Sequence, residues 1–176
     1  MDSGGAETWR AWRDDVFGDP YLVWHDGPDF RRLSKLARSA PDDVARMLAA
    51  GLAEEDPVAA LSFIALADEG MAPGGGPELL RAAAPAATGT FLVRLAQAML
   101  VLTGEQSWAE AVASVLASDA FWGVRIDAAM ALADFAPTPE LIEILDEATR
   151  DPHELVQYHA ANTLRRYRRR GGAGAG

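Results

Sequence analysis

The chain has 176 residues, 49% of them apolar, which is the size of one domain with enough hydrophobic side chain to bury a core; disorder throughout is excluded. Its 16 Lys and Arg stand against 26 Asp and Glu for a net charge of −10, and five of the basic residues crowd into 165–170; without them eleven cations face 26 acids, a balance of −15. A body of that charge repels phosphate backbones and anionic lipid, so nucleic acid and membrane surfaces are not expected as partners, and the absence of Cys excludes disulfides, thiolate metal sites and a thiol nucleophile.

No apolar run approaches the length of a membrane span, and residues 1–10 are polar and acidic without the pattern of a signal peptide, so a soluble, cytoplasmic protein is expected. Alanine occurs 35 times against 10 Val and 4 Ile. Rich in the best helix former and poor in β-branched residues, the chain is predicted to be all-α.

In chain order, apolar residues recur at helical spacing in Trp9, Trp12, Val16 and Phe17, then in Phe30, Leu33 and Leu36. Ala40-Pro41 opens a segment with Val44, Met47, Leu48 and Leu52, and Asp56-Pro57 opens one with Leu61, Phe63, Ile64 and Leu66. Gly76-Pro77 closes a run of three consecutive glycines, 74–76, the loosest internal point. After it come Leu92, Leu95, Ala96, Met99 and Leu102, then Trp108, Val112, Val115 and Leu116. Thr138-Pro139 precedes Leu141, Ile144 and Leu145, and Asp151-Pro152 precedes the last segment. A capping side chain before Pro at the first helical position spells a helix start. About ten helices joined by short turns are predicted, each antiparallel to its neighbour. Residues 1–38 are expected to form an N-terminal helical cap, 39–170 a repeat domain, and 171–176 a flexible Gly/Ala tail.

Sliding the chain against itself by 32 residues lays Asp119–Phe135 on Asp151–Tyr167. Asp119/Asp151, Val124/Val156, Ala128/Ala160, Ala129/Ala161 and Leu132/Leu164 are identical, and Phe135/Tyr167 is aromatic in both. Val124, Ala128, Leu132 and Phe135 fall on one helical face, and small Ala residues let a neighbouring helix come close. Each such helix follows a shorter amphipathic one, so the unit is a helix pair.

An Asp cap, then Val-Arg, then Ala-Ala-x-Ala-Leu resembles the second helix of a HEAT-like repeat, of the kind found in bilin lyases. Asp119, Val124, Arg125, Ala128, Ala129, Ala131 and Leu132 carry the pattern, and residues 105–170 match it best. The next copy departs at Gln157, where Arg is usual, and at Thr163, where Ala is usual. Upstream, residues 41–70 and 77–102 keep the pair rhythm, with Val93-Arg94 as an echo. The resemblance implies a short right-handed α-solenoid whose second helices line a concave binding side.

The residues pointing away from the Val/Ala/Leu face follow by spacing: Trp122, Ile126 and Met130, with Glu154, Tyr158 and Asn162 beside them from the next unit. Such a stripe reads as a protein-binding groove, because aromatic residues and Met are over-used at interfaces; it also reads as core, because second helices are sandwiched between neighbours. His153 and His159, six apart, lack the geometry of a zinc site. His25-Asp26 reads as an acid/base pair or as a turn before Gly-Pro. The acidic clusters Asp14-Asp15, Asp42-Asp43, Glu54-Glu55-Asp56 and Asp68-Glu69 lack the spacing of a calcium loop but offer a negative field to a basic partner. Arg165, Arg166, Arg168, Arg169 and Arg170 could grip phosphate, or simply complement the helix dipole.

Two functions are carried forward. The first is a non-catalytic interaction module that binds another protein, a basic one by its charge, in the manner of an immunity protein, an inhibitor or an adaptor. The second is an enzyme on the same scaffold, bilin-lyase-like and binding a chromophore, with a DNA-glycosylase-like protein disfavoured by the acidic body. No nucleophile, paired base or phosphate-cradling Gly motif is found, and no cofactor is called for.

Overall fold

The structure, a computed structural model, describes residues 8–21, 23 and 27–172. Among them the chain forms ten α-helices and two short 3-10 turns, with no strand, and it divides into two compact units, Met1–Ala86 and Ala87–Gly176. That division falls inside the stretch 39–170 that the repeat rhythm treats as one body.

The first unit holds α1 (Trp9–Phe17), α2 (Phe30–Ser39), α3 (Pro41–Ala53), α4 (Pro57–Asp68) and α5 (Gly76–Ala83). Helix α3 is central, packing against the other four. The predicted apolar face of α1 is its buried face: Trp9, Trp12, Val16 and Phe17 are all inside. Trp9 lies 5.5 Å from Trp12 between ring centres, and Phe17 meets Trp12 edge-on at 6.0 Å. Trp9 sits directly over Gly51 of α3, where a Cβ would come within 2.6 Å of the indole and 2.8 Å of Ala59. Glycine is required there by close approach.

Asp56 ties this unit together. Its carboxylate accepts from the Val58 backbone N–H at 2.8 Å, capping α4 as the Asp-Pro pair predicts, and from the Trp9 indole N–H at 2.8 Å, while Arg13 pairs with it at 2.9 Å. One side chain therefore caps a helix start, satisfies an otherwise buried indole donor and pairs with a cation.

The second unit holds α6 (Gly89–Thr103), α7 (Trp108–Leu116), α8 (Trp122–Ala131), α9 (Pro139–Ala148) and α10 (Glu154–Gly172). Helices α6, α8 and α10 pack side by side in one layer and α7 and α9 in another, with contacts between the layers from α6 to α7, α7 to α8 and α9 to α10. This is the stacked helix-pair arrangement that the repeat predicts. Its core is the predicted one: Ala128, Leu132 and Phe135 from one copy and Val156, Ala160, Leu164 and Tyr167 from the next are buried, and Val124 packs against them partly exposed. Ala128, Ala129 and Ala160 are fully enclosed, which is where small residues permit close helix approach. Helix α10 continues through Gly171 and Gly172, two residues into the stretch read as a tail; 173–176 lie outside the described residues.

Side chains cross from one repeat to the next at every level. Arg94 pairs with Asp127 at 2.8 Å, Gln97 donates to Asp134, and Arg125 pairs with Asp151, whose side chain is 7% exposed. The departures in the second copy are explained by this ladder. The Thr163 hydroxyl donates to the Ala129 carbonyl oxygen at 2.7 Å, and the Tyr167 hydroxyl to that of Leu132 at 2.5 Å, both buried. Gln157 does what Arg125 does one repeat earlier: each donates to a carbonyl oxygen of the loop before its own helix, Asp151 at 2.7 Å and Ala120 at 3.0 Å.

Candidate functional site

The predicted stripe lies on α8 and α10, neighbours in one layer. Met130, 51% exposed, Tyr158, 58% exposed, and Asn162 come together along a groove of about 440 Å³. Ala133, His159, Thr163, Arg165, Arg166 and Arg169 complete it. The other three predicted residues are not in this groove. Ile126 is half-buried and packs against the core, which its sandwiched helix makes possible on both faces. Trp122 stacks on His153, ring centres 4.2 Å apart and planes 10° from parallel, with Phe121 tilted beside it at 4.8 Å. Glu154 is exposed in the first turn of α10.

The face therefore has two parts: an aromatic platform of Phe121, Trp122 and His153 at the start of the two helices, and a groove further along them. Exposed large apolar side chains concentrate here, with Phe121 66% and Leu155 47% exposed beside Met130 and Tyr158. An apolar cluster of this kind, rimmed by polar groups, marks an interaction surface. His153 and His159 are engaged separately, His153 on Trp122 and His159 edge-on to Tyr158 at 5.1 Å. No group of three or more potential metal ligands occurs among the described residues. Trp24 and the His25-Asp26 pair lie outside them.

The arginines of the groove are what stripe reasoning misses. Tyr158, Asn162, Arg165, Arg166 and Arg169 follow at intervals of three and four, so the cationic end belongs to the same helical face as the predicted contacts. Beneath them α10 is anchored by Thr163 and Tyr167. Burial pushes the Tyr167 hydroxyl up to about 12, Arg170 drawing it down and Asp134 adding to the rise. It remains a neutral donor throughout the physiological range, and the groove wall is fixed to α8.

Residues 109–173 match the family model of HEAT repeats. This part of the chain is a pair of HEAT-like repeats. The match spans α7 to α10, the helices that build the face, and leaves the first unit and α6 outside. HEAT repeats commonly serve as interaction scaffolds, which suggests such a role for this segment. No curated protein and no solved structure matches the chain. No described helix is long and apolar enough to cross a membrane.

Proposed function

We propose that the chain is a non-catalytic protein-interaction module and that the face shared by α8 and α10 is its binding surface. The observation that carries this is the convergence of Met130, Tyr158 and Asn162 on one groove, next to the Trp122 platform, with large apolar side chains left in solvent. Burying an exposed Met, Tyr and Trp on a partner supplies the kind of anchors on which interfaces depend. The backbone beneath is held by buried hydrogen bonds, so little order has to be created on binding.

A basic partner, bound or neutralised as an immunity protein or an inhibitor would do it, is supported by the net charge of −10 and by exposed acids in the first unit. There Asp42, Glu54, Glu55 and Asp68 are exposed, whereas Asp15, Asp43 and Glu69 are occupied by Arg32, Arg46 and Arg38. The groove itself is lined by cations. The face on α8 and α10 selects by its apolar anchors and not by the charge of the body.

The test is affinity capture from native extract with the wild type and with Trp122→Ala and Tyr158→Ala variants that keep the wild-type circular dichroism. Loss of the captured protein in either variant is expected. Undiminished capture by both would place the binding surface elsewhere. The chromophore-binding alternative is checked by mixing with a bilin, where a shifted visible band would favour it.

A further inference from the structure

The arginines at the end of α10 differ from the other cations of the second unit. Arg94, Arg125 and Arg150 each hold a carboxylate, from Asp127, Asp151 and Asp146. Arg165, Arg166, Arg168, Arg169 and Arg170 are all exposed, and among the described residues none forms an ion pair. Arg165 donates to the Asn162 side-chain oxygen and Arg170 to the Phe135 carbonyl oxygen, both neutral acceptors. The helix dipole favours cations in the last turn, which accounts for Arg169 and Arg170. It accounts less for Arg165 and Arg166, in the turn before, because the effect falls off within the last turn.

We propose that the groove binds an acidic peptide segment of the partner protein, its carboxylates on Arg165, Arg166 and Arg169 and an apolar side chain on Met130 and Tyr158. This rests on the protein-binding reading of the face and names the chemistry of what it takes. A planar guanidinium matches a carboxylate with two parallel hydrogen bonds, and three of them in a row define a polyacidic strip better than a single anion. From Tyr158 to Arg169 the helix rises about 16 Å, the span of roughly five extended residues. Nucleic acid is the weaker occupant. Only one exposed ring, Tyr158, lines the groove, whereas single-strand binders offer successive stacking platforms, and a chain of net charge −10 repels a long polyanion. A partner with a local acidic segment need not be acidic overall, so a basic body and an acidic segment are compatible in one protein.

The probe is a short labelled peptide rich in Asp and Glu with a central Phe-Leu, compared by fluorescence anisotropy with the same peptide carrying Lys for every acid and with a single-stranded DNA oligonucleotide. The acidic peptide is expected to bind the full chain. Arg165→Glu/Arg169→Glu is expected to weaken it about tenfold, the scale of two pairs lost and made repulsive, and Met130→Ser several-fold. Arg150→Glu is expected to leave it unchanged. The milder Arg165→Gln/Arg169→Gln variant guards against misfolding of the reversed one. No binding of the acidic peptide, equal binding of the Lys peptide, tighter binding of the oligonucleotide, or wild-type binding by the arginine variants would each overturn the inference. Capture of the native partner separates the two readings. If it is lost in Tyr158→Ala yet intact in Arg165→Gln/Arg169→Gln, the acidic segment is wrong and the face stands; if it is intact in both, both fall.

Discussion

Replacing Thr163 with Val removes one hydroxyl from the interior of the HEAT segment and little else. Thr163 is 2% exposed, and its Oγ1 donates at 2.7 Å to the Ala129 carbonyl oxygen of the preceding repeat. Valine keeps the volume and branching but cannot donate, so packing is preserved while the bond is lost. A buried hydrogen bond contributes about 1 kcal/mol net, and the acceptor left without it adds to the loss, for a cost of about 1–2 kcal/mol. At about 2–4 °C per kcal/mol for a chain of this length, the melting temperature falls by roughly 2–8 °C. Urea unfolding followed by far-UV circular dichroism reads the same change as a lower midpoint at unchanged slope. Ser114→Ala is the control, since Ser114 is exposed and bonds only to its own helix; about 0.5 kcal/mol or less is expected. If Thr163→Val unfolds at the same midpoint as wild type, Thr163 does not hold the two repeats together and the explanation of this departure from the repeat pattern fails.

Three further outcomes are expected. Gly51→Ala places a methyl within 2.6 Å of Trp9 and 2.8 Å of Ala59, so the first unit should lose about 1–3 kcal/mol in denaturant titration, and an unchanged midpoint would show that Trp9 does not sit there. Arg125→Met leaves the nearly buried Asp151 carboxylate without its cation, at a cost of about 1–3 kcal/mol; Asp151→Asn in the same background should recover part of it, and no recovery would mean that the pair is not coupled. The Tyr167 hydroxyl is held neutral in the fold, pushed up to about 12, against about 10 in the unfolded chain. Its contribution is full below the unfolded value and is lost as pH rises through the folded one, so melting temperature should fall more steeply between about pH 10 and 12 in wild type than in Tyr167→Phe. Parallel curves would contradict this.

Much of the fold can be read along the chain because its determinants are local. Asp56-Pro57 and Thr138-Pro139 start helices where predicted, since a capping oxygen and a fixed proline φ act within three residues. Asp151-Pro152 does not start one at once; α10 begins at Glu154 because the Asp151 carboxylate takes the His153 N–H and Arg125 from the previous repeat. Gln157 and Thr163 look like decay of the repeat until their bonds to Asp151 and Ala129 show them to be substitutes with the same or an added hydrogen-bonding task. The candidate face is legible by half. Spacing finds Met130, Tyr158 and Asn162, because three- and four-residue steps define a face. At Ile126 the alternative of core packing applies, because α8 has neighbours on more than one side. The arginines read from sequence as a phosphate grip or as dipole complements; that Arg165, Arg166 and Arg169 share the groove depends on how α10 lies against α8, a tertiary fact.

The most direct measurement of the central claim is site-specific photo-crosslinking in native extract. A benzophenone side chain is placed at Tyr158 or Trp122 on the proposed face, and at Ser114 on α7 or Glu143 on α9 as exposed controls in the other layer. One discrete adduct is expected from Tyr158 and Trp122, competed away by excess unlabelled protein, and none from Ser114 or Glu143. Adducts of equal yield at all four positions, or at the control positions alone, would contradict the claim.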